Sequence, residues 1–176
     1  MENVKCLICC SENSNTFITL QDRLKTTLDY FTIVRCKCGF HYLNPRPCFK
    51  EIYPYYNNSD YEPHSKNYSL LRLMFAISRK YTFKMKKDTI LKYVEKGSNL
   101  LDYGSGDGLF SEYMKHHGFI TSNHDPIVKN GIEPPINIKY DIITFWHSLE
   151  HIHDIDNVME YITSYLCLGG YIFVAV

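Results

Sequence analysis

The stretch LLDYGSGDGLFSEYM, Leu100 to Met114, decides the fold of this chain. It begins as an apolar run that ends in an acid, breaks into a turn with Gly104, Gly106 and Gly108, and then resumes with helical character. A buried strand followed by a helix is the repeating unit of mostly parallel sheets. In such sheets, ligands bind where strands end and helices begin. The glycine turn is therefore the first candidate for a binding site.

Further segments on both sides of this stretch continue the same alternation. NLLDYG, FITSNHD, YDIITFWH and GGYIFVAV predict four buried strands, and helical patterns follow the first (LFSEYMKHHG) and the third (IDNVMEYITSYLCLGG). Upstream, apolar residues spaced at three and four predict a long helix from Tyr68 to Val94. The fold class is therefore α/β, with a mostly parallel sheet covered by helices.

Composition limits the kind of protein this is. With 176 residues, 45% of them hydrophobic, the chain can bury a core, and its 19 basic and 19 acidic residues cancel. We therefore expect neither nucleic acid nor a membrane as a partner. The start MENVKCLICC lacks the order of a signal peptide, and no apolar run approaches the ~20 residues of a membrane span. A cytoplasmic location follows, in which reduced cysteines favour metal binding or packing over disulfides.

The chain divides into three parts. Residues 1–48 hold six of the seven cysteines and short β-prone runs such as TFITL and FTIVRC, which predict a small β-rich module. Residues 49–66 are rich in Tyr, Pro and Asn and are interpreted as a linker or lid. Residues 67–176 form the sheet domain.

The glycine turn favours one class of ligand. A nucleotide P-loop would end in Gly-Lys-Ser/Thr, which GSGDGLF lacks, and a dinucleotide site would show G-x-G-x-x-G. Asp102 precedes the first glycine, where it would repel a pyrophosphate but suit a ligand with a positive amine and no phosphate. S-adenosylmethionine (SAM) is such a ligand. Asp125, 19 residues after Gly106, stands where an acid can accept both ribose hydroxyls.

Several of these motifs resemble those of a known enzyme family. LLDYGSGDG, HDP and YDIITFWHSLEHIHDIDNVMEYITSYLCLGGYIFVAV are similar to the successive motifs of class I SAM-dependent methyltransferases, which have a Rossmann-like sheet. VRCKCGFHYLNPRP and the Tyr-rich stretch resemble the zinc-binding, zinc-ribbon-like module fused to methyltransferases that act on deoxysugars and other small molecules. The family continues beyond YIFVAV with a helix and two strands, so the resemblance implies a C-terminally incomplete sheet.

The resemblance implies a set of site residues. Those expected to bind the cofactor are Asp102, Gly104 and Gly106 at its methionine end, Asp125 at the ribose, and His147 nearby. In methyl transfer the protein mainly aligns acceptor and methyl group, with a general base where the acceptor loses a proton. The pair Glu150 and His151 is our first candidate for catalysis, with His147 as a further candidate base. The alternative is that this loop is only held in shape by hydrogen bonds.

Four cysteines are the candidate metal ligands. Cys6-x-x-Cys9 is a good first zinc knuckle, whereas Cys36 and Cys38 have one residue between them instead of the usual two. Cys10 offers a spare ligand, and the alternative is a set of reduced structural cysteines.

The functional prediction is SAM-dependent methyl transfer to a small-molecule acceptor, either a deoxysugar or a nucleotide-sugar, with reduced or no activity expected in a shortened chain. Two alternatives stay open: a non-catalytic zinc-module assembly protein, and an RNA methyltransferase. The uncharged run from Tyr171 to Val176 also predicts an exposed sheet edge, through which two copies would pair.

Overall fold

The computed structural model describes residues 1–22, 29–52, 69–126 and 137–176, with the backbone alone for 69–73. The chain forms two compact units, Met1–Tyr68 and Ser69–Val176. Most of the linker or lid interpreted from the Tyr-rich stretch lies outside the described residues. In the part of the chain that is described, no helix has the length and apolar character that a membrane crossing requires.

The first unit contains a three-stranded antiparallel sheet in the order β1-β2-β3, formed by Ser14–Gln21, Tyr30–Cys36 and His41–Leu43. Its strands are rich in β-branched and aromatic residues, which fit a pleated surface. Little of the sheet is covered, however, since Phe17 on β1 is 61% exposed. Among the described residues of this unit, the buried apolar residues are Cys6, Val34, Cys36 and Pro47. These residues bury little apolar surface, so we expect the unit to have a further source of stability.

The second unit is the α/β sheet that the sequence predicts. Its elements in chain order are α1 (Ser69–Ile90), β4 (Asn99–Tyr103), α2 (Leu109–His116), β5 (Ile120–His124), β6 (Tyr140–Trp146), a 3-10 turn (Leu149–His151), α3 (Ile155–Ser164) and β7 (Leu166–Ala175). All pairings are parallel, in the order β5-β4-β6-β7. The central strands β4 and β6 are almost fully buried, as expected for a sheet covered on both faces.

Two apolar clusters cover the two faces of this sheet. Because side chains alternate along a strand, Leu101 of β4 and Ile143 of β6 belong to one cluster, which α3 covers through Ile162. Leu100 and its register partner Ile142 belong to the other. Helices α1 and α2 cover this second cluster through Ile90, Phe110 and Met114. The glycine turn after β4 is thus held between a buried strand and a packed helix.

The structure differs from the sequence predictions at two helix ends. The long helix stops at Ile90 instead of Val94, and α3 stops at Ser164, whereas the helical pattern was extended to Gly170. Leu166 already pairs with Tyr140 in the sheet, and Gly169 adopts a φ of 81°, which ends any helix. The segment LCLGG therefore belongs to β7, which is longer than predicted.

Candidate active site and metal centre

The glycine turn lies at the carboxyl end of β4. Gly104 has a φ of 75°, and a Cβ added there would lie 2.2 Å from the Cβ of Ser148. Its N–H donates to the carbonyl of His124 at 2.7 Å, so the turn is fixed to the end of β5. Gly106 has a φ of 55°, and a Cβ there would meet nothing within 4 Å. Gly104 is required by close packing, whereas Gly106 borders open space that a ligand can enter.

Asp102, one residue before the end of β4, is the buried acid of the site. Its side chain is 3% exposed, and its Oδ1 accepts a hydrogen bond from the hydroxyl of Thr144 at 2.7 Å. Burial raises the pKa of Asp102 to about 6, while the Thr144 hydroxyl and the charge of Lys86 partly oppose this rise. The carboxylate therefore lies in a low-polarity environment in which a cationic partner would be strongly favoured.

Lys86, Ser111 and Trp146 supply further hydrogen-bond donors in this region of the sheet domain. The Lys86 ammonium, from α1, lies 4.4 Å from the ring centroid of Trp146 and 5.4 Å from that of Phe110. Burial lowers the pKa of Lys86, and the charge of Asp102 opposes that shift. The hydroxyl of Ser111 is buried and lies near enough to Asp102 to favour its charged form. The indole Nε1 of Trp146 is buried and has no hydrogen-bond partner among the described residues. A buried donor in this state points to a group that the protein atoms alone do not supply.

Asp125 follows β5 and lies across from the turn. Its Oδ2 accepts a hydrogen bond from the N–H of Gly106 at 2.8 Å. The carboxylate thus lies beside the open glycine of the turn. Burial, together with the nearby Asp125 charge, raises the pKa of Tyr103, whose ring contacts that of His124 at 5.0 Å.

The predicted catalytic residues follow β6. His147 has a φ of 55°, unusual for a residue with a side chain, and its N–H donates to the carbonyl of Ala175 at 2.7 Å. Its Nδ1 lies 3.8 Å from Oε1 of Glu150, and 68% of the His147 side chain is exposed. His151 is the last residue of the 3-10 turn and is exposed. The structure therefore places His147 near Glu150, which the sequence analysis had paired with His151.

Sequence reasoning missed four residues of this region, namely Lys86, Ser111, Thr144 and Ser148. A signal existed for Lys86: it stands three residues after Phe83 and four before Ile90, which both pack in the core, so it shares their helix face. The sequence analysis had no comparable signal for Thr144. Its contact with Asp102 depends on the register between β4 and β6.

The four predicted metal ligands meet in the first unit. The sulfur atoms of Cys6, Cys9, Cys36 and Cys38 all lie within 4.8 Å of one another. The Sγ atoms of Cys6 and Cys38 are 3.5 Å apart, and those of Cys9 and Cys36 are 3.4 Å apart. A tetrahedral zinc site with bonds of about 2.3 Å places its sulfurs about 3.8 Å apart, close to these distances. The donor set therefore fits zinc.

The thiol chemistry of this cluster also suits a metal. Burial would raise the pKa of Cys6, but the N–H groups of Cys9 and Ile8 and the neighbouring thiols lower it to about 7. One thiolate can therefore form near neutral pH without a metal, and it is the thiolate that binds metal ions. Cys10 is exposed and is not one of the four clustered sulfurs, although its N–H donates to the carbonyl of Cys6 at 2.8 Å.

Comparison with known proteins identifies the family of the second unit. The family model described as a methyltransferase domain matches residues 75–176, which include the whole glycine turn. Three curated relatives are the ubiquinone biosynthesis O-methyltransferases of Coxiella burnetii strains Dugway 5J108-111, RSA 331 / Henzerling II and RSA 493 / Nine Mile phase I. Each is 32% identical over 110 residues, a match that covers 47% of this chain and 47% of the relative. The match thus spans about half the length of these relatives. Because the family model covers more than half of the chain and all of its parallel sheet, the chain belongs to the methyltransferase domain family.

Proposed function

We propose that this protein binds SAM at the carboxyl ends of β4, β5 and β6 and transfers its methyl group to a hydroxyl of a small-molecule acceptor. The observation that carries the proposal is the buried carboxylate of Asp102, directly before a glycine turn that borders open space. The bound cofactor would supply an electrophilic methyl group on a sulfonium. Asp102 would hold the cofactor's ammonium, Gly104 and Gly106 would pass beneath its methionine end, and Asp125 would accept from the ribose hydroxyls.

The loop after β6 would remove the proton from the acceptor hydroxyl. His147 extends into solvent from a strained backbone position, and Glu150 lies within 4 Å of its ring. We assign His147 as the general base that takes the acceptor's proton. Glu150 orients its imidazole and stabilises the cation that forms. His151, the last residue of the 3-10 turn, is the second candidate base.

The acceptor we propose is a sugar or sugar-linked hydroxyl. The support is the resemblance of the first unit to modules fused to deoxysugar methyltransferases, together with the fit of Cys6, Cys9, Cys36 and Cys38 to a zinc ion. Curated relatives are named as ubiquinone biosynthesis O-methyltransferases, so transfer to an oxygen of a compound from ubiquinone biosynthesis is the alternative outcome of an acceptor screen.

We also propose that two copies associate through β7. This strand lies at the end of the described sheet, with β6 on one side, and Val174 is 46% exposed. An apolar edge with open backbone groups is a template for pairing. Light scattering should show a dimer in the wild type and a shift toward monomer in Val174→Lys. A wild-type monomer at high concentration would contradict this pairing.

Calorimetry with SAM and its demethylated product tests the central proposal. Wild-type protein should bind both, and Asp125→Ala should bind them roughly 10- to 100-fold more weakly, because charge-assisted hydrogen bonds contribute about 1.5–3 kcal/mol each. Asp156→Ala, an exposed acid at the start of α3, is the matched control and should bind as the wild type does. A folded wild-type chain without affinity for either compound would refute the proposal.

A further inference from the structure

The apolar side chains on the first half of α1 are exposed. All residues from 74 to 82 are exposed, whereas Phe83 and Ile90 further along the helix pack in the second apolar cluster of the sheet. Helices in proteins draw most of their stability from packing an apolar face. Residues 74–82 gain little such packing from the described part of the chain, so this half of α1 is a candidate docking surface.

The exposed apolar residues form one continuous surface, which we call the apolar stripe. Met74, Ile77, Tyr81 and Met85 are spaced at three and four, so they lie on one side of the helix, and Phe75 lies beside them. Their exposed fractions range from 55% to 66%. Together they expose roughly 600 Å², as much as the largest apolar patch of a typical monomer, and such patches are often functional.

Basic side chains border the apolar stripe on both sides. Lys80 and Lys84 follow Ile77 at three and seven residues and lie along one border, and Arg79 follows Phe75 at four and lies along the other. All three basic side chains are exposed, and none has a hydrogen bond or ion pair to the described residues. An occupant that complements this surface is therefore apolar and carries negative charge.

A second copy of the chain fits the apolar stripe poorly. A stable interface between proteins buries about 800 Å² on each partner, which is more than the stripe offers. Pairing of the stripe with its own copy would also bring the basic borders of the two helices together, whether the helices run parallel or antiparallel. Like charges at such a distance destabilise a helix pair.

We propose that the apolar stripe docks on the surface of a membrane that contains anionic lipids. The stripe would lie at the boundary of the acyl chains, with Arg79, Lys80 and Lys84 among the headgroups, as in other basic amphipathic helices that lie on membranes. The cancelling net charge, from which we expected no membrane partner, is an average over the whole chain, whereas these charges are local. This inference goes beyond the proposed function and does not depend on SAM binding.

Flotation of the full chain with lipid vesicles tests the proposal. The wild type should bind vesicles of phosphatidylcholine with about 30% phosphatidylserine at least about tenfold more tightly than vesicles of phosphatidylcholine alone, because each basic side chain near an anionic surface adds to binding. Raising the salt concentration from about 0.1 M to about 1 M should weaken binding to the anionic vesicles, because it shortens the screening length from about 10 Å to about 3 Å.

One pair of variants tests the apolar contribution. The double variant Ile77→Ser/Tyr81→Ser should bind the anionic vesicles about tenfold more weakly or worse, because it removes apolar surface from the stripe. Ile120→Ser is the matched control. Ile120 lies at the start of β5 and is 60% exposed, against 61% for Ile77, so its variant should bind as the wild type does.

A second pair tests the charges. The double variant Lys80→Glu/Lys84→Glu should also lose about tenfold or more in affinity, and it should lose most of the salt dependence of binding. Lys115→Glu, at an exposed position of α2, is the matched control and should bind as the wild type does.

Thermal unfolding and calorimetry with SAM accompany these measurements, so that only folded variants are compared. A folded wild type that does not bind the anionic vesicles overturns this inference and leaves the proposed function untouched. Equal binding to both kinds of vesicle overturns it, and so does an equal loss in the α1 variants and their controls. If Ile77→Ser/Tyr81→Ser turns a dimer into a monomer and leaves vesicle binding unchanged, the stripe belongs to a second copy and the inference fails. A loss of vesicle binding confined to the α1 variants, with SAM affinity within about twofold of the wild type, supports it.

Discussion

The two units of this protein are held together by different physical means. In the described part of the first unit, the buried apolar residues are Val34, Pro47 and two cysteines, and those two cysteines belong to the cluster of four thiols. In the second, two apolar clusters fill both faces of a parallel sheet. Burial of apolar surface is the main source of stability where there is enough of it. The sheet domain thus has a large packed core of its own, whereas we expect the small module to depend on its cysteine cluster for stability.

The largest expected effect is the loss of the first unit when its clustered cysteines are changed. Cys36→Ser should abolish zinc binding and unfold the unit, because in small metal domains the binding free energy is the folding free energy. The second unit should keep its structure. Zinc analysis and hydrogen exchange measured unit by unit check this prediction. Cys10→Ser is the matched control, since that exposed cysteine lies outside the cluster, and it should keep its zinc.

The opposite result would show that the two units are stabilised in the same way. If the purified, folded protein holds no zinc and the exchange pattern of Cys36→Ser equals that of the wild type, then packing alone stabilises the small module. The cysteines would then be ordinary structural residues, the alternative left open by their unusual spacing.

The second effect concerns the packed unit. Phe145 of β6 is fully buried and its ring lies 5.2 Å from that of Tyr103. Phe145→Ala should lower the free energy of unfolding of this unit by about 3–5 kcal/mol and leave the zinc content unchanged. Urea denaturation followed by Trp146 fluorescence measures it. Phe17→Ala, at an exposed position in the first unit, should change stability by less than about 0.5 kcal/mol. A loss below about 1 kcal/mol in Phe145→Ala would contradict the proposed role of this core.

The third effect compares two glycines within the turn. Gly104→Ala places a Cβ 2.2 Å from that of Ser148 and adds left-handed strain, whereas Gly106→Ala adds only the strain. The strain costs about 1–2 kcal/mol in either case, and the overpacking adds about 1–3 kcal/mol at Gly104. Thermal unfolding should therefore rank Gly104→Ala as the less stable variant.

A second substitution tests the cause of that difference. Ser148→Gly removes the Cβ that would collide, so it should restore part of the stability of Gly104→Ala and none of that of Gly106→Ala. Equal effects of Ser148→Gly in both backgrounds would show that the clash is not the cause. Cofactor affinity should fall in Gly106→Ala, because its new methyl group enters the open space beside Asp125.

The fold of the second unit could be predicted from the sequence, while much of its site could not. Leu100 and Leu101 beside a glycine turn identify a buried strand and the start of a helix, because these patterns depend only on residues that are close in sequence. The hydrogen bond between Thr144 and Asp102 depends on strand register, a non-local property. The residues around His147 in the sequence do not predict its left-handed backbone, because this conformation arises where β6 ends beside β7.

The cysteine cluster shows a similar limit. The short spacing of Cys36 and Cys38 left the zinc prediction open, because spacing alone does not say where a strand ends. In the structure β2 ends at Cys36 and a tight turn follows, closed by the N–H of Gly39 donating to the Cys36 carbonyl at 2.9 Å. That turn brings Cys38 within reach of Cys6, at 3.5 Å between the sulfurs. Local turn geometry therefore compensates for the missing residue.

The smallest effect is a pH dependence that distinguishes binding from folding in the second unit. Burial raises the pKa of Asp102 to about 6, and an ammonium ligand needs its carboxylate form. SAM affinity should therefore be constant above pH 7 and fall by up to about tenfold per pH unit below 6. Stability should change in the opposite direction. In the unfolded state the carboxyl has its ordinary pKa of 3.8, so the folded state binds more protons between about pH 4 and 6. As the pH falls through that window, protonation removes the cost of burying the charge, and the free energy of unfolding rises.

The variant Asp102→Asn isolates the contribution of this carboxyl. The asparagine variant should show weaker SAM binding at pH 7 and lose the part of the pH dependence that belongs to the carboxyl, in both calorimetry and chemical denaturation. Lys86 and Asp125 are the other charges that act on this carboxyl. Wild-type affinity that stays constant from pH 7 to 5 would mean that the ligand's ammonium binds elsewhere. The buried acid would then serve the packed core of the second unit and have no part in its site.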